Sequence, residues 1–240
     1  MKLIFKIDKG YDEKMILEFI PNGGKKNKQA LVDLLRIDVE ELDIILKNNN
    51  LNLKKVVSIL VKNKYKKLLP FLKNSAADYQ KSWDKINDDF FKLVAIKTNR
   101  PWKYKKYYCV VSAFHEGISS WGKDIIARRW SINADTQRKV TAHELVLSHF
   151  WTMLEKNVIS KKWSADKKWQ YSEIFSWCLL GLDPDFYGFW PWLLKSDLFP
   201  INHQYQNIVP LQNKLKDMYF EYQNFTDFFE MAIKSNIPIQ

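Results

Sequence analysis

The sequence predicts an α+β protein, mostly helical, with a small antiparallel sheet. Three observations carry this expectation. Apolar residues recur at intervals of three and four over most of the chain, the spacing that lines one face of a helix. Two apolar runs, around Cys109 and around Ile126, break that rhythm and read as strands. The length, 240 residues of which 46% are hydrophobic, is enough to bury a sizeable core.

Taken in order, Leu3-Ile4-Phe5-Lys6-Ile7 reads as a short strand. Residues 11–20 have helical spacing through Met15, Ile16, Phe19 and Ile20, and Pro21-Asn22-Gly23-Gly24 stops them in a turn. Over residues 28–74 the apolar positions Leu31, Leu34, Leu35, Leu42, Ile45, Leu46, Val56, Val57, Leu60 and Val61 predict two or three short helices, punctuated by Asn48-Asn49-Asn50 and by Pro70. A longer helix follows over residues 75–97, with Tyr79, Trp83, Ile86, Phe90, Leu93 and Val94 on its buried stripe. Asn99-Arg100-Pro101 ends it, because the residue before a proline is driven out of the helical region.

The strands at 107–114 and 124–130 are joined through Gly117-Ile118-Ser119-Ser120-Trp121-Gly122, so an antiparallel pair is expected. Asn133 or Asp135 can cap the next helix, which ends near Asn157. A further helix is predicted over 171–180, with Glu173 near its start and Gly181 as its break. The segment 183–192 is loop-like and aromatic. Two helices close the chain, at 204–222 with a break near Pro210 and at 226–234. No internal repeat or low-complexity linker is evident.

Charge divides the chain more sharply than composition does. The net charge is +11; residues 1–106 carry 24 Lys/Arg against 13 Asp/Glu, while residues 107–240 carry 14 of each. Eight of the ten Trp residues fall in the second part. This predicts a basic, mainly helical region over 1–75 and a body over 76–240 that holds the chemistry. No run approaches the roughly eighteen uninterrupted apolar residues of a membrane helix, and the start lacks the apolar stretch of a signal peptide, so a cytoplasmic protein without membrane contact is expected. Cys109 and Cys178 lie in apolar surroundings without partners at metal-ligand spacing and read as buried thiols.

The chemistry-bearing run is Thr141-Ala142-His143-Glu144-Leu145-Val146-Leu147-Ser148-His149. In a His-Glu-x-x-His helix the imidazoles at i and i+4 share a zinc ion and the Glu is the base toward the attacking water. His143 and Glu144 fit; the i+4 position is Leu147. At about 100° per residue His149 lies roughly 120° from His143 around the axis, so an unbroken helix cannot aim both at one ion. Glu173 lies thirty residues beyond His143 on the next predicted helix. Its bland reading is a helix-terminal acid opposite the macrodipole, with Ser172 as a cap. His149 reads as a rescue ligand, or as a residue behind the site or in the core. His203, in a loop after Phe199-Pro200, reads as an oxyanion donor, a replacement ligand or a plain loop histidine. His115-Glu116 reads as turn chemistry.

Lys62, Lys64, Lys66 and Lys67 beside Tyr65, and Lys103, Lys105 and Lys106 among Trp102, Tyr104, Tyr107 and Tyr108, make a pattern that also occurs in single-strand nucleic-acid binders, where lysines meet phosphates and rings stack on bases. Lysine-rich surfaces are equally common where nothing binds, and nucleic acid is the lesser expectation.

Four stretches resemble a set of small bacterial proteins classed as zinc metallopeptidases of the minor-zincin type, with the His-Glu-x-x-His signature. They are the Trp83 helix, the strand pair from Tyr107 to Trp130, Ala142-His143-Glu144-Leu145 and Tyr171-Ser172-Glu173-Ile174. They span roughly residues 80–205. The resemblance implies a zincin-like body, a zinc cofactor, His143 as first ligand, Glu144 as general base, Glu173 as a further ligand and a peptide or protein substrate. It fails at Leu147. Two functions are therefore expected in competition: a zinc-dependent peptidase with Glu144 and His203 as catalytic groups and His143, Glu173 and His149 as metal ligands, or a non-catalytic binding protein on a degenerate zincin scaffold, in which the aromatic loop Phe186 to Trp192 or the basic front recognises a protein or nucleic-acid partner.

Overall fold

The computed structural model of the chain describes residues 1–19, 52–193 and 203–237, together with Val32, Glu40 and Phe199. The helices expected between residues 28 and 51, and the turn at 21–24, lie outside the described residues. The protein is mostly helical α+β, with strands β1 (Lys2–Lys6), β2 (Lys106–Ser112), β3 (Gly117–Ile118) and β4 (Ile125–Arg129). The described α-helices are α1 (Lys9–Phe19), α2 (Leu53–Asp84), α3 (Asn87–Thr98), α4 (Ala134–Lys156), α5 (Ala165–Leu182), α6 (Val209–Glu221) and α7 (Phe225–Ser235).

The sheet corrects the expected antiparallel pair. Its order is β1-β2-β4-β3, with β1, β2 and β4 parallel and only the edge strand β3 antiparallel to β4. The link between β2 and β4 is long enough to return the chain to the same end of the sheet. Its Gly117-Ile118 dipeptide pairs back on the outer side of β4 instead of turning a hairpin. Alternation along β2 sends Tyr107, Cys109 and Val111 into the main core. Val110 faces the other way and meets Met15 of α1 with Ile118 and Ala127.

Two helix boundaries differ from expectation for physical reasons. Pro70 does not stop α2 but lies inside it, on the exposed side. The lost N–H leaves a carbonyl at the preceding turn for water, and the buried stripe Val57, Val61, Tyr65, Leu72, Tyr79 and Trp83 outweighs the cost of about 3 kcal/mol. The helix expected over 75–97 breaks at Lys85-Ile86, and Asn87 shows why. Its Oδ1 accepts from Leu3 N at 3.1 Å and Trp83 Nε1 at 3.0 Å, and its amide donates to Met1 O at 2.9 Å, which ties β1 to the α2–α3 corner. The division expected at residue 75 falls within α2, and β1 shares one sheet with β2.

α4 starts at Asn133, whose Oδ1 accepts from Asp135 N at 2.9 Å, and stops at Asn157, as expected. α5 begins earlier than expected: Ser164 caps it by accepting from Lys167 N at 3.2 Å, so Glu173 sits in mid-helix and Ser172 is no cap. Gly181 does not break α5, which ends at Leu182. Pro210 does not break a helix; it opens α6. Among the described residues no helix is long and apolar enough to cross a membrane.

Candidate functional site

α4 is held at a fixed angle to the sheet. Tyr79 on α2 places its hydroxyl 2.7 to 2.9 Å from the carbonyls of Arg129, Trp130 and Ile132, and accepts from Ile132 N at 3.1 Å. Arg138, on the first turns of α4, donates to Ser82 Oγ at 3.0 and 3.1 Å and to Phe189 O at 3.0 Å. With Ala142, Leu145 and Val146 buried, the facing turn presents His143 and Glu144 to a cleft of about 760 Å³ between α4, α5, the sheet edge and the segment after residue 203.

His143 and Glu173, from separate helices, meet in this cleft. Nε2 of His143 lies 2.6 Å from Oε2 of Glu173. The contact is one of charge and proximity: Oε2 is buried and has no well-directed hydrogen bond. On the other side of the ring, Nδ1 is 3.0 Å from Ser176 Oγ, which donates to the His143 carbonyl at 3.3 Å. Which of Nδ1 and Ser176 Oγ donates depends on the tautomer, but Nε2 carries a proton against the Glu173 carboxylate, since two lone pairs at 2.6 Å repel. Burial works against charge on His143, but the Glu173 carboxylate outweighs it and raises the imidazole above its ordinary range. Burial likewise pushes Glu173 up, yet the facing imidazole wins and holds its carboxyl below the ordinary range.

Glu144 lines the same cleft, and burial raises its carboxyl despite the neighbouring His143 and Arg128. Its Oε1 lies 3.4 Å from Arg128 Nη1. Arg128 was not among the residues expected at the site. The signal was nonetheless present: it follows Ile126 by two on a strand, so it points inward, where a cation calls for an explanation.

His203 also lines the cleft, its ring tilted against Trp177 at 4.4 Å between ring centres. Its Nδ1 accepts from Tyr205 N at 3.0 Å, so the proton of the neutral ring is on Nε2. That tautomer suits a donor to an oxyanion and does not suit a metal ligand through Nε2. His149 does not join the cluster. It is buried against Trp102, 4.5 Å away, with Nε2 3.1 Å from Thr98 Oγ1, and borders a separate pocket with Arg100 and Phe229. His115 follows a turn closed by Ser112 Oγ, which accepts from Phe114 N at 3.0 Å and His115 N at 2.9 Å. Ser176, Trp177 and Tyr205 complete the site without any sequence signal of their own.

The aromatic features expected to bind partners are only partly at the surface, with Tyr187, Phe189 and Trp192 half-buried. Phe186 and Trp190 are buried, as are Tyr65, Trp102 and Tyr107 between the lysines. The rings offered for base stacking are thus largely engaged in the core; Tyr104 and Tyr108 remain half-buried.

His143 and Glu173 are donor types that zinc takes, but here they meet as a proton-sharing pair, and a cation held by them would have to displace the Nε2 proton. Among the described residues no group of three or more His, Cys, Asp or Glu is arranged to hold a metal. Comparison with protein-family models, curated proteins and solved structures finds no match, and the geometry of the cleft alone carries the functional argument.

Proposed function

We propose that the cleft is a hydrolytic site of the zincin type that acts on a peptide or protein substrate. The observation that carries this reading is the 2.6 Å approach of His143 Nε2 to Glu173 Oε2 from two helices, beside Glu144. His143 and Glu173 would hold a divalent cation such as zinc, which supplies positive charge to polarise a carbonyl and to make water more acidic. Ser176 holds the His143 ring so that Nε2 faces Glu173, and Nε2 would ligate once its proton is displaced. Glu144, its affinity for protons raised by burial, accepts the proton of the attacking water and passes it to the leaving amine. His203 Nε2–H donates to the oxyanion that develops on the attacked carbonyl. Trp177 gives the cleft a half-buried apolar side beside His203.

The test is metal content and peptide hydrolysis by the full chain after equilibration with zinc. Near-stoichiometric zinc and chelator-sensitive cleavage are expected, with Glu144→Gln lowering the rate by about a hundredfold or more at unchanged metal content. A metal-free protein whose behaviour a chelator does not alter would overturn the reading.

A second reading has its own support: Leu147 stands where the usual second imidazole is, and two protein ligands make a weak seat. On that reading the chain binds peptides without cutting them, and peptide affinity persists in a chelator without turnover.

A further inference from the structure

Resting on the hydrolytic reading, we propose that Arg128 is the anion-recognition residue of the cleft and that the substrate is a peptide whose free terminal carboxylate lies close to the bond cut. Arg128 projects from β4 with only 5% of its surface exposed, and it lines the cleft beside His143 and Glu144. A guanidinium has five donors, and burying it without partners is costly. Here Nε is buried with no hydrogen-bond partner among the described residues, and Nη1 reaches Glu144 only at 3.4 Å. That is longer than the roughly 2.7–2.9 Å of a well-formed charge-assisted bond. The protein therefore keeps a buried fork-shaped donor at the cleft that its own residues only partly satisfy.

The surroundings favour a carboxylate. Glu116, Glu144 and Glu173 all line the cleft, so a doubly charged phosphate would meet three like charges. A singly charged, planar carboxylate matches the guanidinium fork and exchanges one negative partner for another. Lys139, one turn before His143, adds a second positive charge to the same wall. Trp177, Leu180 and Tyr205 supply an apolar side on which the terminal side chain can rest. Engagement of Arg128 by this carboxylate draws the guanidinium from Glu144, leaving Glu144 as an unpaired proton acceptor only when the correct substrate is present.

The test is calorimetric titration of the full chain with glycyl-phenylalanine, its C-terminal amide and inorganic phosphate, in the parent, Arg128→Gln and Glu144→Gln proteins. The amide should bind about tenfold or more weakly than the free acid, and Arg128→Gln should abolish that difference. Glu144→Gln should tighten binding of the acid, because it removes the competitor for the guanidinium; a purely structural Arg128–Glu144 pair predicts weakening. This arm stands even if Arg128→Gln fails to fold. Equal binding of acid and amide, tighter binding of phosphate than of the dipeptide, no binding of the dipeptide, or weakening by Glu144→Gln would each overturn the proposal. Discrimination between acid and amide without cleavage of any peptide leaves the subsite standing and removes the hydrolytic reading. Cleavage of free and amidated peptides alike does the reverse.

Discussion

Gly117 on the edge strand lies directly against the Arg128 guanidinium: a Cβ there would overlap Nη1 and stand 2.6 Å from Glu144 Oε1. A residue with any side chain would push the buried pair aside. Gly117→Ala is therefore expected to cost about 1–3 kcal/mol through overpacking. Urea unfolding should show it, together with loss of the preference for the free-acid dipeptide. An unchanged midpoint would mean that Arg128 has room to move.

Ser176 touches the ring of His143 and not the seat itself. Ser176→Ala removes the partner of Nδ1 and frees the ring to turn, so zinc affinity should fall about tenfold or more. Stability should change by about 1 kcal/mol, the worth of one hydrogen bond. Zinc titration beside thermal unfolding separates the two effects.

Leu147 occupies the position one turn after His143. Leu147→His places a second imidazole about 5–6 Å from the first, measured between Cβ atoms, on the same face of α4. If the cleft is a weakened zinc seat, affinity should rise about tenfold or more, because a third protein ligand is the usual complement. Unchanged affinity would count against a zincin-type geometry.

His149 predicts a dependence of stability on acid. Burial, aided by Lys156, pushes its imidazole down to about 3 from 6.5. The unfolded chain then binds more protons than the folded one across that window. Stability must fall as pH drops from about 6.5 toward 3, by at most about 1.4 kcal/mol per pH unit. His115, which burial pushes down to about 4, acts in the same sense. Asp12, raised by burial to about 6 from 3.8, acts in the opposite sense between those values. The difference between parent and His149→Gln isolates the one histidine: the variant should lose less stability between pH 7 and pH 5.

Much of the helical skeleton was legible because its signals are local. The Asn133 cap, the Asn157 stop and the helix end at Asn99-Arg100-Pro101 depend on neighbours a few residues away. The direction of β4 was not legible, since a short link containing glycine reads as a hairpin whether or not its own residues form the return strand. Pro70 misled because a proline on the wet side of a long, well-buried helix is tolerated. Type and spacing singled out His143, Glu144 and Glu173, which the fold brings to one cleft. His149 misled because residue type says nothing about the direction of a side chain beyond helical angle. Arg128 was missed although strand alternation pointed it inward, and Ser176 could be found only once α4 and α5 were packed together.

The hydroxyl of Tyr79 grips the short passage between β4 and α4, and it comes from a helix that begins at Leu53. Tyr79 lies past residue 75, but a fragment trimmed of residues 1–75 would keep only the last turns of that helix to carry it and would lose the strand Lys2–Lys6. The opening segment is thus part of the frame that aims the turn bearing His143 and Glu144, and shortened versions of this chain should be expected to lose the cleft before they lose their helices.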